Sequence, residues 1–432
     1  MNYVSTRGGI APVSLEVAIA AGLAPDGGLY VPERIPVVDM THPKATLAQT
    51  AEQVLSPYFA GSGLREHLSQ LCTTAFDFPA PLRALNAPDD YLLELFHGPT
   101  AAFKDYAARF LAETLSRLRE PSQPTTTVLV ATSGDTGAAV AAAFHRRPGF
   151  RVLVLYPDGR VSPRQAHVLG SFSNNVQAMR VDGSFDDCQR LVKQALVDAS
   201  LREKVTLTSA NSISLGRLLP QIAYYAHAAL DFHARHGMPL NFIVPTGNLG
   251  NALACWLARS MGLPVGEIVL ACNANDTLPR YLDGEDYAPR ATEATLANAM
   301  DVGAPSNFER LRWWHPDDAE LRSGLRALRV DDAAIRDTIA NAPRRHGVVP
   351  CPHTAVGLRV LERLRAAGDT GAWAVVATAH PAKFESVVEP LVGHAVEPPA
   401  ALTAALAHPA HAQPLAADYA ALRDHLLRGA GA

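Results

Sequence analysis

Cysteine is sparse in this chain and never paired. Cys72, Cys188, Cys255, Cys272 and Cys351 are scattered, with no Cys-x-x-Cys spacing among them. That excludes a zinc ribbon and offers no disulfide framework, so a reduced compartment is expected. Basic excess is missing too. With 38 Lys and Arg against 42 Asp and Glu the net charge is −4, which argues against nucleic acid as a partner. No apolar run is long enough to span a bilayer, and the start, MNYVSTRGG, lacks a basic segment followed by an apolar one. A cytoplasmic protein without membrane contact is the expectation. His97, His353 and His380 stand too far apart in sequence to argue a metal site, and no HExxH occurs. No internal repeat is evident.

What is present is 432 residues, 48% hydrophobic and 19% charged, enough for two or three domains with ample core. The first ~90 residues are punctuated by proline and glycine, with short helical patterns at 46–56 and 64–72. Beyond them, short β-rich apolar runs alternate with helical ones. The runs are YLLEL (91–95), TVLVAT (127–132), RVLVLYP (151–157), NVQAMRVDG (175–183), NFIVPTG (241–247), EIVLACN (267–273) and WAVVAT (373–378). Helical patterns at 105–118, 138–147 and 185–197 separate them. Such alternation predicts parallel sheets covered on both faces, and there are too many units for one small sheet. Two α/β domains with a cleft between them are expected. The tail after Pro398, rich in Ala, Pro and His and helical from about Asp418, reads as packed on the surface.

Ligands of open α/β sheets bind in the loops that follow strands. Four such loops hold candidate chemistry. After TVLVAT comes Ser133-Gly134-Asp135-Thr136-Gly137, opening an alanine-rich helix. Ser, Asp and Thr are ordinary helix caps, but glycines on both sides favour a loop that admits a carboxylate or phosphate. After NFIVPT comes Gly247-Asn248-Leu249-Gly250-Asn251. It is neither GxGxxG nor a Walker loop; a phosphate nest and a tight turn account for it equally well. SANSISLGR (209–217) groups Asn211, Ser212 and Arg217. These could clamp an anion, although a capped helix with an exposed arginine is the simpler account of the segment alone. Thr378 ends WAVVAT, either as a plain strand residue or facing the cleft. Finally, HGPTAAFKDYAARF (97–110) places a lone lysine, Lys104, between a Gly-Pro-Thr turn and a helical run. A surface lysine fits there, and so does a nucleophilic one. A positioned lysine, two glycine-rich anion cradles and a hydroxyl at a strand end form together the set that pyridoxal phosphate requires.

HGPTAAFKDYAARF, ATSGDTGAAVA, NSISLGRLLPQ, VPTGNLGN, NAMDVGAPSN, CPHTAVG and ATAHPAKF, in that order, resemble the threonine synthase family of fold-type II pyridoxal-phosphate enzymes; the N-terminal YVSTRGG fits its longer-chain branch. The resemblance implies two open α/β domains with mostly parallel sheets, the active site in the cleft between them, and an N-terminal helical segment. It divides the chain into an N-terminal segment (1–88), a smaller α/β domain carrying the lysine (89–230), and a larger α/β domain with phosphate loop and C-terminal tail (231–432). The implied activity is conversion of O-phospho-L-homoserine and water to L-threonine and phosphate, by γ-elimination and β-addition. A related phospho-lyase giving 2-oxobutyrate and a serine/threonine dehydratase are the alternatives. The implied state is a monomer or homodimer. Lys104 would be the catalytic, Schiff-base lysine, and Gly247, Asn248, Leu249, Gly250 and Asn251 the cofactor-phosphate loop. Asp135 would stand at the cofactor's 3′-oxygen and Thr378 at its pyridine nitrogen. Ser133 and Thr136 would take the substrate carboxylate, Asn211, Ser212 and Arg217 its phosphate, and Thr100 is a further substrate ligand. Three positions depart from commoner versions: Asp135 for the asparagine of the shorter-chain branch, Leu249 for a frequent phenylalanine, and Cys351 for an acid before Pro-His.

Overall fold

The computed structural model describes residues 1–428; residues 429–432, at the end of the expected tail, lie outside the described residues. Thirteen strands are described: β1 (Tyr3–Ser5), β2 (Tyr30–Pro32), β3 (Leu82–Ala84), β4 (Asp90–Glu94), β5 (Thr126–Ala131), β6 (Phe150–Pro157), β7 (Val176–Asp182), β8 (Thr206–Ser209), β9 (Leu240–Pro245), β10 (Val265–Cys272), β11 (Arg326–Arg329), β12 (Trp373–Ala377) and β13 (Gln413–Ala416). They form a five-stranded sheet in the order β13-β7-β6-β5-β8, a six-stranded sheet in the order β11-β10-β9-β12-β4-β3, and a small β1-β2 ribbon. The five-stranded sheet is parallel throughout, and the six-stranded one is parallel except for the β3–β4 pair at its edge.

The strand sequences explain this architecture. β5, β6, β9 and β12 are buried nearly end to end, so helices must cover both sheet faces. All seven apolar runs read from the sequence are strands. The six further strands, β1, β2, β3, β8, β11 and β13, have only three or four residues each and too little apolar pattern to register. N-terminal helices lie where expected, at Leu47–Leu55 and Leu68–Ala75, with another at Leu15–Ala21.

Sheet membership cuts across the segments drawn from the sequence. β4, within 89–230, pairs with β12 in the six-stranded sheet, whereas β13, within 231–432, pairs with β7 in the five-stranded one. The tail is packed on the surface, as expected, and is also built into the fold. β13 completes the five-stranded sheet, and the helix Tyr419–Arg428 buries Leu422 and Leu426 against Leu153, Leu191 and Val192 in a second apolar core. Alanine and proline richness concealed a pair of leucines at four-residue spacing.

In each sheet the strand order reverses once. β5 to β6 to β7 runs one way while β8 lies on the other side of β5; β9 to β10 to β11 runs one way while β12 lies on the other side of β9. Crevices open at such reversals, at the carboxyl ends of the strands. The loops after β5, β8, β9 and β12 are those that the sequence marked.

Candidate active site

These four loops and the start of the lysine helix line one cleft of about 440 Å³, within the usual range for small-molecule sites. Lys104, Ser133, Asp135, Thr136, Asn211, Ser212, Arg217, Gly247, Asn248, Leu249, Gly250, Asn251 and Thr378 all line it.

Lys104 is the first residue of the helix Lys104–Leu118, whose apolar face, including Tyr106, Phe110 and Leu111, is fully buried. The turn before it is fastened at several points. Asp105 accepts from the Thr100 amide (2.9 Å) and hydroxyl (2.6 Å). Phe103 N–H donates to Thr378 O (2.8 Å), and Ala102 bridges Ala379. Lys104 and Thr378 are thus carried on one backbone unit. Thr100 is not a cleft residue: it does not line the cavity, and Asp105 occupies both its hydroxyl and its amide. The expectation of a substrate ligand there is corrected to a turn lock, because the hydroxyl is spent on the Asp105 carboxylate beside the lysine. Burial pushes the Lys104 amine down to about 8, with Arg217 and Lys383 acting in the same sense and Asp135 opposing.

After β5, Thr132 Oγ1 accepts from the Gly134 and Gly137 amides at 2.9 and 2.8 Å. Gly134 has φ 131°, and a Cβ there would collide with Gln165. The helix Asp135–Phe144 therefore begins three residues before the periodicity suggested, and Asp135 heads it. The Asp135 carboxylate accepts from Gln165 Nε2 at 3.0 Å and pairs with Lys383 Nζ at 2.7 Å. Burial by itself would raise this carboxyl; the cations of Lys383 and Lys104 hold it below the usual range. The extra negative charge noted in the sequence is thus already neutralised by a lysine.

After β9, Leu249 takes a left-handed conformation (φ 62°) to start the helix Gly250–Ser260. A bulky residue in that region is strained, and such strain clusters at ligand sites. Gly247 leaves no room for a side chain, since a Cβ would lie 2.7 Å from Met300 Cα. Asn248 bonds Ser212 Oγ at 2.6 Å and the Ser306 amide at 2.5 Å, joining this loop to the one after β8. Asn251 Oδ1 accepts from the Tyr224 and Tyr225 hydroxyls, while its buried Nδ2 has no partner.

After β8, Arg217 is only 2% exposed. One of its nitrogens donates to Ala210 O (2.6 Å), its Nε has no partner, and no carboxylate pairs with it among the described residues. The buried acceptor Asn211 Oδ1 and the Ser214 hydroxyl nearby in sequence are also unpartnered. Desolvation pushes the guanidinium down to about 10, where it remains charged at neutral pH. A buried cation without a counter-ion is costly unless a ligand supplies one. Beneath it, the fully buried Arg310 donates to Tyr30 O, Ile213 O and Asn307 Oδ1 and fastens the loop to the N-terminal ribbon.

Two residues at or behind the cleft, left unassigned by the sequence, bear on its charge balance. His353 lines the cleft at 2% exposure; its Nε2 accepts from the Ala299 amide (3.1 Å), and burial pushes the ring down to about 4, so it is neutral at working pH. Cys351 accepts from the Thr354 amide as a helix cap and does not displace His353. Lys383 lies in the ATAHPAKF motif, where its burial left no trace in the sequence. His380 caps a turn by accepting from the Ala382 amide.

The residues fit a phosphorylated aldehyde cofactor: a glycine cradle at a helix start, an unpartnered Asn251 amide and a lysine with a lowered pKa share one cleft. Two mostly parallel sheets meeting at such a cleft point to a pyridoxal-phosphate enzyme, and the family model described as "Pyridoxal-phosphate dependent enzyme" matches residues 75–382. "Threonine synthase N terminus" matches 2–76 and "Threonine synthase, C-terminal" matches 354–426. The chain belongs to the threonine synthase family. It is 39% identical to threonine synthase of Escherichia coli over 96% of both chains, and 37% identical to that of Haemophilus influenzae over 99% of this chain and all of the other. Solved structures agree. The E. coli enzyme superposes with TM-score 0.91 at 37% identity over 99% of this chain and 100% of that one, and pyridoxal-phosphate-bound threonine synthase of Brucella melitensis with 0.91 at 33% over both whole chains. The family and fold read from the sequence are borne out, and pyridoxal phosphate is the cofactor.

Proposed function

We propose that this chain converts O-phospho-L-homoserine and water to L-threonine and phosphate. The observation that carries the reading is Arg217, a buried guanidinium without a counter-ion in the same cleft as Lys104. A dehydratase, whose substrate has no phosphate, would leave that charge unmet.

Bound pyridoxal phosphate supplies an electron sink next to the substrate α-carbon. The backbone amides of 247–251, at a helix start, would hold its phosphate, and the Thr378 hydroxyl would serve its ring nitrogen. Ser133 and Thr136, at the head of the helix Asp135–Phe144, take the substrate carboxylate. Lys104 Nζ removes the α-proton, takes a proton from Cβ and returns one to Cγ; an amine pushed to about 8 can both accept and donate near neutral pH. Asn211, Ser212 and Arg217 select the phosphorylated substrate and stabilise the charge of the leaving phosphate. Water then adds at Cβ, and Lys104 returns a proton to the α-carbon, which completes L-threonine.

The reading includes a cytoplasmic enzyme that is a monomer or homodimer. Among the described residues no helix is long and apolar enough to cross a membrane. The test is incubation with O-phospho-L-homoserine, measuring phosphate and threonine together. Equal yields are expected; phosphate with 2-oxobutyrate instead would show a phospho-lyase, and no phosphate would overturn the reading. Lys104→Ala is expected to abolish both the visible absorbance of the bound cofactor and phosphate release.

A further inference from the structure

Lys383 is a second lysine at the centre of the molecule, and nothing in the reaction above uses it. It sits in the turn Pro381–Phe384 after β12 and is 1% exposed. Its Nζ lies 2.7 Å from Asp135 Oδ1 and 2.7 Å from Thr100 O. It does not line the cleft. Lys383 thus joins the segment that carries Lys104 to the residue that heads the facing helix, without meeting any ligand.

We propose that Lys383 is a positioning residue that keeps Lys104 free by serving as the counter-ion of Asp135. The charges facing Lys104 support this. Asp135 is the carboxylate that acts on it from the facing helix, and Arg217 and Lys383 are the cations. His353 is neutral, and Asp105, on the lysine's own helix, is bonded to Thr100. With Lys383 in place, Asp135 is paired at 2.7 Å and Lys104 has no ion-pair partner among the described residues. Without Lys383, the buried carboxylate has one flexible amine left to neutralise it, and that amine is Lys104. A Lys104 ammonium bound to Asp135 has no lone pair with which to capture the cofactor. The arrangement also explains how an aspartate is tolerated at this position: its charge is cancelled by a cation that takes no part in the chemistry.

The inference rests on Lys104 as the cofactor-bearing residue, and the experiment separates the two. Cofactor-free protein is mixed with pyridoxal phosphate across pH 6–10, and the rate of visible absorbance gain is followed as Lys104 Nζ bonds the aldehyde carbon and one water leaves. Borohydride reduction and peptide mass mapping then identify the lysine modified. In Lys383→Met the pH midpoint of capture is expected to rise by about one unit, making capture about tenfold slower on the acid side. Lys383→Arg should restore the wild-type midpoint, and Asp135→Asn/Lys383→Met should undo most of the shift, because the orphaned carboxylate is gone. Lys383→Gln, which retains a donor for Thr100 O, is read in the same way should the methionine variant fail to fold. A merely structural clip would slow capture equally at every pH. Coincident midpoints with Lys104 still the residue modified would overturn this inference alone; modification of another lysine would overturn the assignment of Lys104 itself.

Discussion

Arg217 is a buried cation and Lys104 a half-buried one, and they differ in what desolvation does for them. Arg217 stays charged and waits for an anion, whereas Lys104 is pushed towards neutrality. Arg217→Ala removes the counter-charge proposed for the substrate phosphate and is expected to lower kcat/KM with O-phospho-L-homoserine by at least about a hundredfold, or ~3 kcal/mol. An unchanged value would place the phosphate site elsewhere. For Lys104 the sign follows from which form reacts. The free amine attacks the cofactor, so capture by the cofactor-free enzyme should accelerate as pH rises through about 8 and level off above it. A flat profile between pH 7 and 9 would contradict the lowered value. Residue types at four loops were readable beforehand because ligand chemistry needs hydroxyls, glycines and cations at strand ends. Thr100 was misplaced because a hydroxyl facing a cleft and a hydroxyl bonded to a neighbouring carboxylate look alike in sequence.

At the scale of elements, the cofactor cradle depends on how closely the loop after β9 approaches the segment at Met300. Gly247→Ala puts a methyl group 2.7 Å from Met300 Cα, a backbone atom that cannot swing aside. The cradle must open, and cofactor retention is expected to weaken by at least about tenfold, ~1.4 kcal/mol. Equilibrium dialysis against pyridoxal phosphate measures it; wild-type retention would show that the cradle does not hold the phosphate. Long buried strands were legible because burial on both faces leaves a continuous apolar run, as in LNFIVP of β9. QPLA of β13, exposed except at Leu415, carries no such signal, because its place is fixed by pairing with β7 and not by its own pattern. The helix at Asp135 begins early for a related reason: its first turn is built from polar residues, Asp135 and Thr136, that line the cleft, and hydrophobic periodicity starts only at Ala138.

For the whole molecule, the C-terminal tail has the greatest reach. Ending the chain at Pro398 removes β13 and the helix Tyr419–Arg428, which bares the edge of β7 and the apolar surface that Leu415, Leu422 and Leu426 cover. Such a truncation is expected to express as aggregate, even though every cleft residue is retained. Soluble, cofactor-binding protein from the shortened chain would show that the tail is dispensable.

The exchange of strands between the sheets has a further consequence at birth. As the chain leaves the ribosome, β5 to β8 emerge together, but their sheet lacks its outer strand until residue 416. β4 emerges early and must wait nearly 280 residues for β12, its inner neighbour. Neither sheet can close from neighbouring segments alone: the six-stranded one waits for β12, which ends at residue 377, and the five-stranded one for β13, which ends at residue 416, so the nascent chain carries open sheet edges until then. Residues 413–416 therefore decide when the edge of β7 stops being exposed.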